Sequence, residues 1–310
     1  MHIKLLIIEY SRGGGKELEH KSKGKIIFDI FNYTFLIILC LLCLFPIIHV
    51  AAVSFSKSSA ATAGMVKLLP VGFNTKSYSY VLKRPEFMRS MIVSFKRVII
   101  GSFVNMFLTI LIAYPLSKEK HEFKWRNFYM WFFFITMLFS GGLIPWYMVI
   151  KKLGLLNSIW ALILPGAVPV YNIILLVNFF RQLPKELEEA AFLDGAGYWT
   201  TLWKIYVPTS LPALATITLF TVVNHWNSWF DGLILMNSPE KYPLQSYLQT
   251  VVIQRDLSLV SSADINSLAE VSDRTVKSAQ IFMGALPILC VYPFLQKYFV
   301  KGIVLGSVKG

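Results

Sequence analysis

The stretch EEAAFLDGAGYWTTLWKIYVP, residues 188–208, decides how the rest of the chain is read. It is charged and punctuated by glycine, yet it lies between two of the most apolar segments of the sequence. Just upstream, Pro184 predicts a helix start at a first position where a missing N–H has no helical partner to lose. Glu186, Glu188 and Glu189 then fall in the first turns, where negative charge complements the helix dipole. Leu187, Ala190 and Ala191 share one face, and Asp194-Gly195-Ala196-Gly197 ends the helix because glycine accepts the left-handed conformation of a C-cap. Trp199, Leu202, Trp203 and Tyr206 recur at i, i+3, i+4 and i+7, which predicts a second, amphipathic helix. Two readings of the pair stand side by side. An interfacial helix pair in the lipid headgroups accounts for the aromatic second helix. It accounts poorly for the first, because an anionic leaflet repels a Glu-rich helix, whereas a small acidic knob suits a protein cleft.

Outward from this loop, the composition is that of a membrane protein. Apolar residues make up 55% of the 310 and charged residues only 15%, against roughly a quarter charged in soluble domains. The net charge of +13 does not predict nucleic-acid binding, because the basic residues lie at segment ends and in loops. Positive charge beside apolar spans is what orientation in a bilayer requires. Cys40, Cys43 and Cys290 all sit in apolar runs with no cation or base nearby in sequence, and read as buried spectator thiols.

Residues 1–25 read as a basic tail, and apolar runs follow at about 26–53, 91–116, 128–150, 157–180, 208–235 and 277–300. Each approaches or exceeds the ~20 residues that cross a bilayer. The expectation is an all-α membrane protein with six transmembrane helices in one domain, residues 26–300, followed by a C-terminal tail, 301–310. The first run is too long for a signal-peptide core and lacks a small-residue cleavage site, so it reads as an uncleaved helix. With the basic N-terminus in the cytoplasm, both termini and the loop about 184–207 lie inside; residues 54–90 and 236–276 lie outside. Lys and Arg divide 16 inside to 14 outside, a weak bias that includes the inner cluster Lys118, Lys120, Lys124 and Arg126. Lys96 and Arg97, at the outer end of the second run, read as snorkelling side chains.

The chain has no phosphate-cradling GxxxxGK[ST] and none of the common hydrolase or metal motifs. No Asp or Glu falls in the middle of a predicted span, as an ion-coupled carrier would need. No catalytic or metal-ligating set is predicted, and energy is expected from a partner.

Glu189-Ala190-Ala191, three residues, Gly195, nine residues, Ile205, one residue, then Val207-Pro208 resembles the cytoplasmic signature of inner-membrane permease subunits of bacterial ABC importers. The signature carries Leu where this chain has Val207. From about residue 28 onward the chain is similar to the MalG-like permeases of carbohydrate importers, especially the LplC-like branch. That closer resemblance rests on SGGLIPWYMVIKKLGLLNSIWALILPGAVPVYN, HWNSWFDGLI, YPLQ and the ending PFLQKYFVKGIVLGSVKG. It implies that the loop is a coupling helix docked in a cytoplasmic ATPase subunit, through Glu188, Glu189, Ala190, Ala191, Asp194, Gly195, Ile205 and Pro208. Glu189 would pair with an ATPase arginine, and Gly306, Ser307, Lys309 and Gly310 would reach the ATPase dimer. It also implies a second permease, two ATP-binding subunits and an extracellular solute-binding lipoprotein, with ATP and Mg held by the ATPases and no cofactor here. The implied cargo is an oligosaccharide; a permease of the same architecture for another solute, an ion-coupled carrier and a membrane transferase are the alternatives.

Asn224, His225, Trp226, Asn227, Trp229 and Asp231 form a polar-aromatic cluster at the outer part of the fifth run. Such residues suit a sugar pathway. Tryptophan at a membrane boundary is equally an interfacial anchor, and both readings stand.

Overall fold

The computed structural model describes residues 23–253 and 272–307. The expected tail up to residue 22, most of the outer loop after residue 253, and Lys309 and Gly310 lie outside the described residues. Among the described residues there are helices and turns and no strand.

Helix α1, Lys23–Ser54, begins in a first compact unit that ends at His49. Among the described residues of that unit nearly every side chain is exposed and most are apolar, the pattern of a helix whose surroundings are lipid or another apolar surface. Cys40 and Cys43 are exposed free thiols there, as is Cys290 further on. The expectation of burial fails: all three thiols lie on exposed positions of their helices.

The second unit begins at Val50. Its helices are α2 (Ser58–Thr62), α3 (Lys76–Lys83), α4 (Pro85–Ser117), α5 (Arg126–Leu138), α6 (Leu143–Lys152), α7 (Ile159–Ile163) and α8 (Val170–Gln182). They continue with α9 (Lys185–Leu193), α10 (Tyr198–Thr209), α11 (Leu211–Asn227), α12 (Phe230–Leu235), α13 (Leu244–Leu248) and α14 (Asp273–Ser307). Of the runs expected to span, α1 and α4 are single helices long and apolar enough; bent pairs bring the number to at most five by length and composition. The run 128–150 is not one rod: α5 and α6 meet at 114° across Ser140-Gly141-Gly142, where Gly142 has φ +85°. The run 157–180 bends by 48° at a turn holding Pro165 and Pro169. The run 208–235 becomes α11 and α12, and α10 meets α11 at 81° between Pro208 and Pro212. Each break sits where glycine frees the backbone or proline removes an N–H. The last run lies inside α14, which continues to Ser307 and so includes Gly306 and Ser307.

Helix α4 is the centre of this unit. Arg84 caps it in extended conformation, Pro85 takes the first position and Glu86 the first turn. Its buried face recurs every three or four residues through Ser90, Ser94, Arg97, Gly101, Asn105, Thr109 and Ala113. Between helices in lipid the driving force is close packing and hydrogen bonding, and small or polar residues let backbones approach. Gly101 shows how close: a Cβ there would lie 2.6 Å from Nε2 of His225 on α11. Around the last turns of α4, Ile110, Tyr114 and Leu116 pack with Ile173, Phe180, Leu202 and Tyr206. Around its first turn, Phe87 packs with Val81, Trp226, Tyr247 and Val276.

Candidate functional site

The segment between α8 and α11 folds as helix, glycine turn, helix. Pro184 is the cap, with ψ 130°, and α9 starts at Lys185, one residue later than expected. At the other end Gly195, with φ +80°, donates its N–H to Phe192 O (3.0 Å), and Ala196 donates to Ala191 O (2.9 Å). That pair of bonds is the Schellman closure, and it requires the left-handed residue that glycine supplies. Asp194 is the C-cap and is exposed. Helix α10 contains a π-turn at Leu202–Tyr206, just ahead of Pro208, which cannot donate an ordinary helical bond. The altered register splits the expected amphipathic face: Leu202 and Tyr206 are buried and Trp203 partly so, while Trp199 is exposed. Ile205 is half-buried and Pro208 exposed.

Adjacent glutamates on α9 differ in exposure and in partners. Glu188 turns inward and forms an ion pair with Lys118, the residue that caps the end of α4; the two side chains are 13% and 7% exposed. Tyr206 Oη donates to Glu188 Oε2 (2.6 Å), and Lys118 Nζ donates to Tyr206 Oη (3.2 Å). The Lys118 ammonium also sits over the rings of Tyr114 (4.2 Å) and Tyr206 (4.5 Å), in cation–π range. Burial lowers the Lys118 pKa, opposed by Glu188. Burial and Glu188 raise that of Tyr206, which therefore stays a neutral donor. Two weaker ties run beside this cluster. Lys185 pairs with Glu119, both largely exposed, and Arg181 Nη2 donates to Leu116 O (3.1 Å). Glu189, by contrast, is exposed, and among the described residues its side chain has no hydrogen bond or salt bridge, only a longer-range attraction to Lys185. Ala190 is exposed beside it, Ala191 is buried, and Leu193 is 89% exposed. A cleft of about 380 Å³ with both charge signs on its walls runs between the Glu188–Lys118 pair and Glu189.

The polar-aromatic cluster divides in the same manner. His225 and Trp226 are buried in the subunit: His225 Nε2 is 2.9 Å from Asn105 Oδ1, and Trp226 Nε1 donates to Gly284 O (3.0 Å). Asn105 in turn donates to Gly166 O (2.8 Å). Asn224, Asn227 and Trp229 are exposed. Asn227 and Trp229 line an open groove of about 420 Å³ together with Gln245 and Gln249. Asp231 is held by Arg97, whose Nη1 lies 3.1 Å from Oδ1 and whose Nη2 contacts Oδ2; the side chains are 18% and 3% exposed. Ser228 Oγ (3.0 Å) and the Gly232 N–H (2.9 Å) also donate to Oδ1. Arg97 further reaches Ser228 O (3.3 Å) and Leu162 O (3.4 Å). The expectation that Arg97 snorkels is therefore corrected: it turns inward, where Asp231 and two carbonyls engage its two terminal nitrogens, while its buried Nε has no hydrogen-bond partner among the described residues. Lys96 is exposed. Sequence reasoning passed over the partnerships of Lys118, Tyr206 and Arg97. The only local signal was a cation at each end of one apolar run.

A family model described as "Binding-protein-dependent transport system inner membrane component" matches residues 21–304. The chain is 41% identical to Protein LplC of Bacillus subtilis (strain 168) over 94% of this chain and 98% of that one. It is 40% identical to the polygalacturonan/rhamnogalacturonan transport system permease protein YtcP of the same organism, over 92% and 99%. Among solved structures, a chain of a bacterial ABC transporter involved in import of the acidic polysaccharide alginate superposes with a TM-score of 0.84 at 35% identity. That match covers 90% of this chain and 98% of the other.

Proposed function

The chain belongs to the family of inner membrane components of binding-protein-dependent transport systems, and from that premise we propose that it forms half of the pathway of an ATP-driven carbohydrate importer. The cargo is an oligosaccharide delivered by an extracellular binding protein. The relatives' own cargoes, alginate in one case and polygalacturonan or rhamnogalacturonan in another, support that class. The chain is a permease and performs no covalent chemistry. It works beside a second permease and two cytoplasmic ATP-binding subunits, which hold ATP and Mg. Six spans with both termini in the cytoplasm place α9 and α10 on the ATPase side. The two ends of the chain, residues 1–25 and 301–310, lie on that side, and Gly306, Ser307, Lys309 and Gly310 meet the ATPases.

One observation carries this reading. Helix α9 is anchored from within by Glu188, yet it presents an unpaired Glu189 and the exposed Ala190 and Leu193 outward. An anchored helix with an unsatisfied acidic and apolar outer face suits a protein cleft that supplies a cation. The cavity-lining Asn227 and Trp229 supply amide and aromatic surface of the kind that suits sugar rings, and the pathway is assigned to that side.

The test is ATP-dependent, binding-protein-dependent uptake in proteoliposomes holding the full complex, with wild-type permease, Glu189→Lys or Gly195→Trp. Uptake and stimulated ATP hydrolysis are expected to be lost together while the permease stays folded. Unchanged transport in both variants returns the loop to a membrane-surface role.

A further inference from the structure

Among the described residues, two ion pairs have all four side chains mostly out of solvent: Arg97–Asp231 and Lys118–Glu188. Both take their cation from α4 or its cap, and both take their carboxylate from an element beyond a helix break. At 1.5 Å per residue, positions 97 and 118 lie ~31 Å apart along the helix, about the thickness of the hydrocarbon core. Helix α4 thus joins the α9 loop to the α11–α12 break by one continuous helix, with an intermediate lock where Asn105 meets His225 and Gly166.

We infer that Lys118 and Glu188 are positioning residues for transport, forming the stiff link through which displacement of α9 enters α4. This rests on α9 being the element that meets the ATPase. The tie between α9 and the segment just past the end of α4 differs in kind. Lys185–Glu119 is an exposed pair, 72% and 49%, and such pairs are screened and hold little. Lys118–Glu188 is desolvated, roofed by two tyrosine rings and closed by the Tyr206 hydroxyl, so each charge is committed to the other. Glu188 leaves α9 about 100° around the helix from the exposed Glu189, on the side that meets Lys118. One carboxylate is therefore available to an external partner while its neighbour holds the transmembrane helix. Adjacent residues on one short helix deliver the input and the output.

The experiment measures ATP hydrolysed per saccharide imported by the reconstituted complex, together with the yield of assembled complex. Lys118→Met and Glu188→Gln are each expected to raise that ratio at least about fivefold, the lower end for coupling between linked sites. Lys185→Met, at the exposed pair, is expected to stay within about twofold. Tyr206→Phe, which keeps the ring and removes one hydrogen bond, should raise the ratio at least about twofold and serves if the charge variants do not assemble. The exchange Lys118→Glu with Glu188→Lys should import more per ATP than Lys118→Glu alone. An unchanged ratio in Lys118→Met or in Tyr206→Phe overturns the link, as does an exchange no better than the single variant. If Glu189→Lys leaves import intact, the premise about α9 fails instead. If Glu189→Lys abolishes import while Lys118→Met keeps the wild-type ratio, the link alone fails.

Discussion

The loop between α8 and α11 and the break between α11 and α12 are built on one plan: two helices, a turn, and an acidic residue paired with a cation of α4. They differ in what remains unsatisfied. At the α11–α12 break the single carboxylate, Asp231, accepts from Arg97, Ser228 and Gly232, so the one acidic group there is already engaged. At the loop the anchoring task falls to Glu188, and Glu189 next to it has no hydrogen bond or salt bridge among the described residues. An acidic residue beside an apolar run thus becomes a candidate for outside recognition only when a second one does the holding. On this ground Glu189 is a stronger site candidate than Asp231, although residue type alone ranks them together.

The largest test of the contrast is Arg97→Ala. It leaves the largely enclosed Asp231 without its cation, and removing one partner of a buried pair costs about 3–5 kcal/mol, an upper bracket for a carboxylate 18% exposed. The detergent-solubilised complex should therefore melt well below wild type. Replacing both charges, Arg97→Met with Asp231→Leu, should recover most of the loss, because the penalty comes from the orphaned charge and not from the pair as such. Glu189→Ala should leave the melting temperature near wild type, since it removes an exposed, unpaired group. Equal melting shifts for Arg97→Ala and Glu189→Ala would erase the distinction drawn between the two regions.

A smaller effect is expected at Gly101. A methyl group there would stand 2.6 Å from Nε2 of His225, so Gly101→Ala must push the imidazole from its contact with Asn105. Overpacking of this kind costs about 1–3 kcal/mol, again read as a melting shift. The double variant Gly101→Ala with His225→Ala should be closer to wild type than the sum of its parts, because both act on one contact.

Much of the loop was legible because its signals are local. Pro184, the Glu-rich first turn and Gly195 each act within a few residues, and they mark α9 and its end to within one residue. The face containing Trp199 was misread, since the π-turn next to Pro208 alters the register that the i, i+3, i+4, i+7 spacing assumes. Apolarity gave the long runs but not their direction. A run such as 128–150 can stay within the membrane's depth while Gly141-Gly142 turns the chain by 114°. The Arg97–Asp231 pair joins residues 134 positions apart, and no local pattern connects them. The stripe of Ser, Gly, Asn and Thr along α4 went unread, because its meaning depends on which helix lies against it.

Gly195 gives the smallest and most discriminating effect. Its φ of +80° strains any L-residue, while a Cβ built there meets nothing within 4 Å in the subunit. Gly195→Ala should accordingly cost about 1–2 kcal/mol of local stability from backbone strain alone, and Gly195→Asn less, because asparagine tolerates this cap position. Gly195→Trp carries the same backbone strain, and the space immediately around the Cβ is open in the isolated subunit. Melting of the permease should therefore shift by a similar amount in Gly195→Ala and Gly195→Trp. Any further loss of uptake in Gly195→Trp then reports volume excluded by something outside the subunit. If both variants reduce uptake equally, the turn matters only through its backbone. A Gly195→Trp complex that is stable but silent places a partner surface against the turn itself.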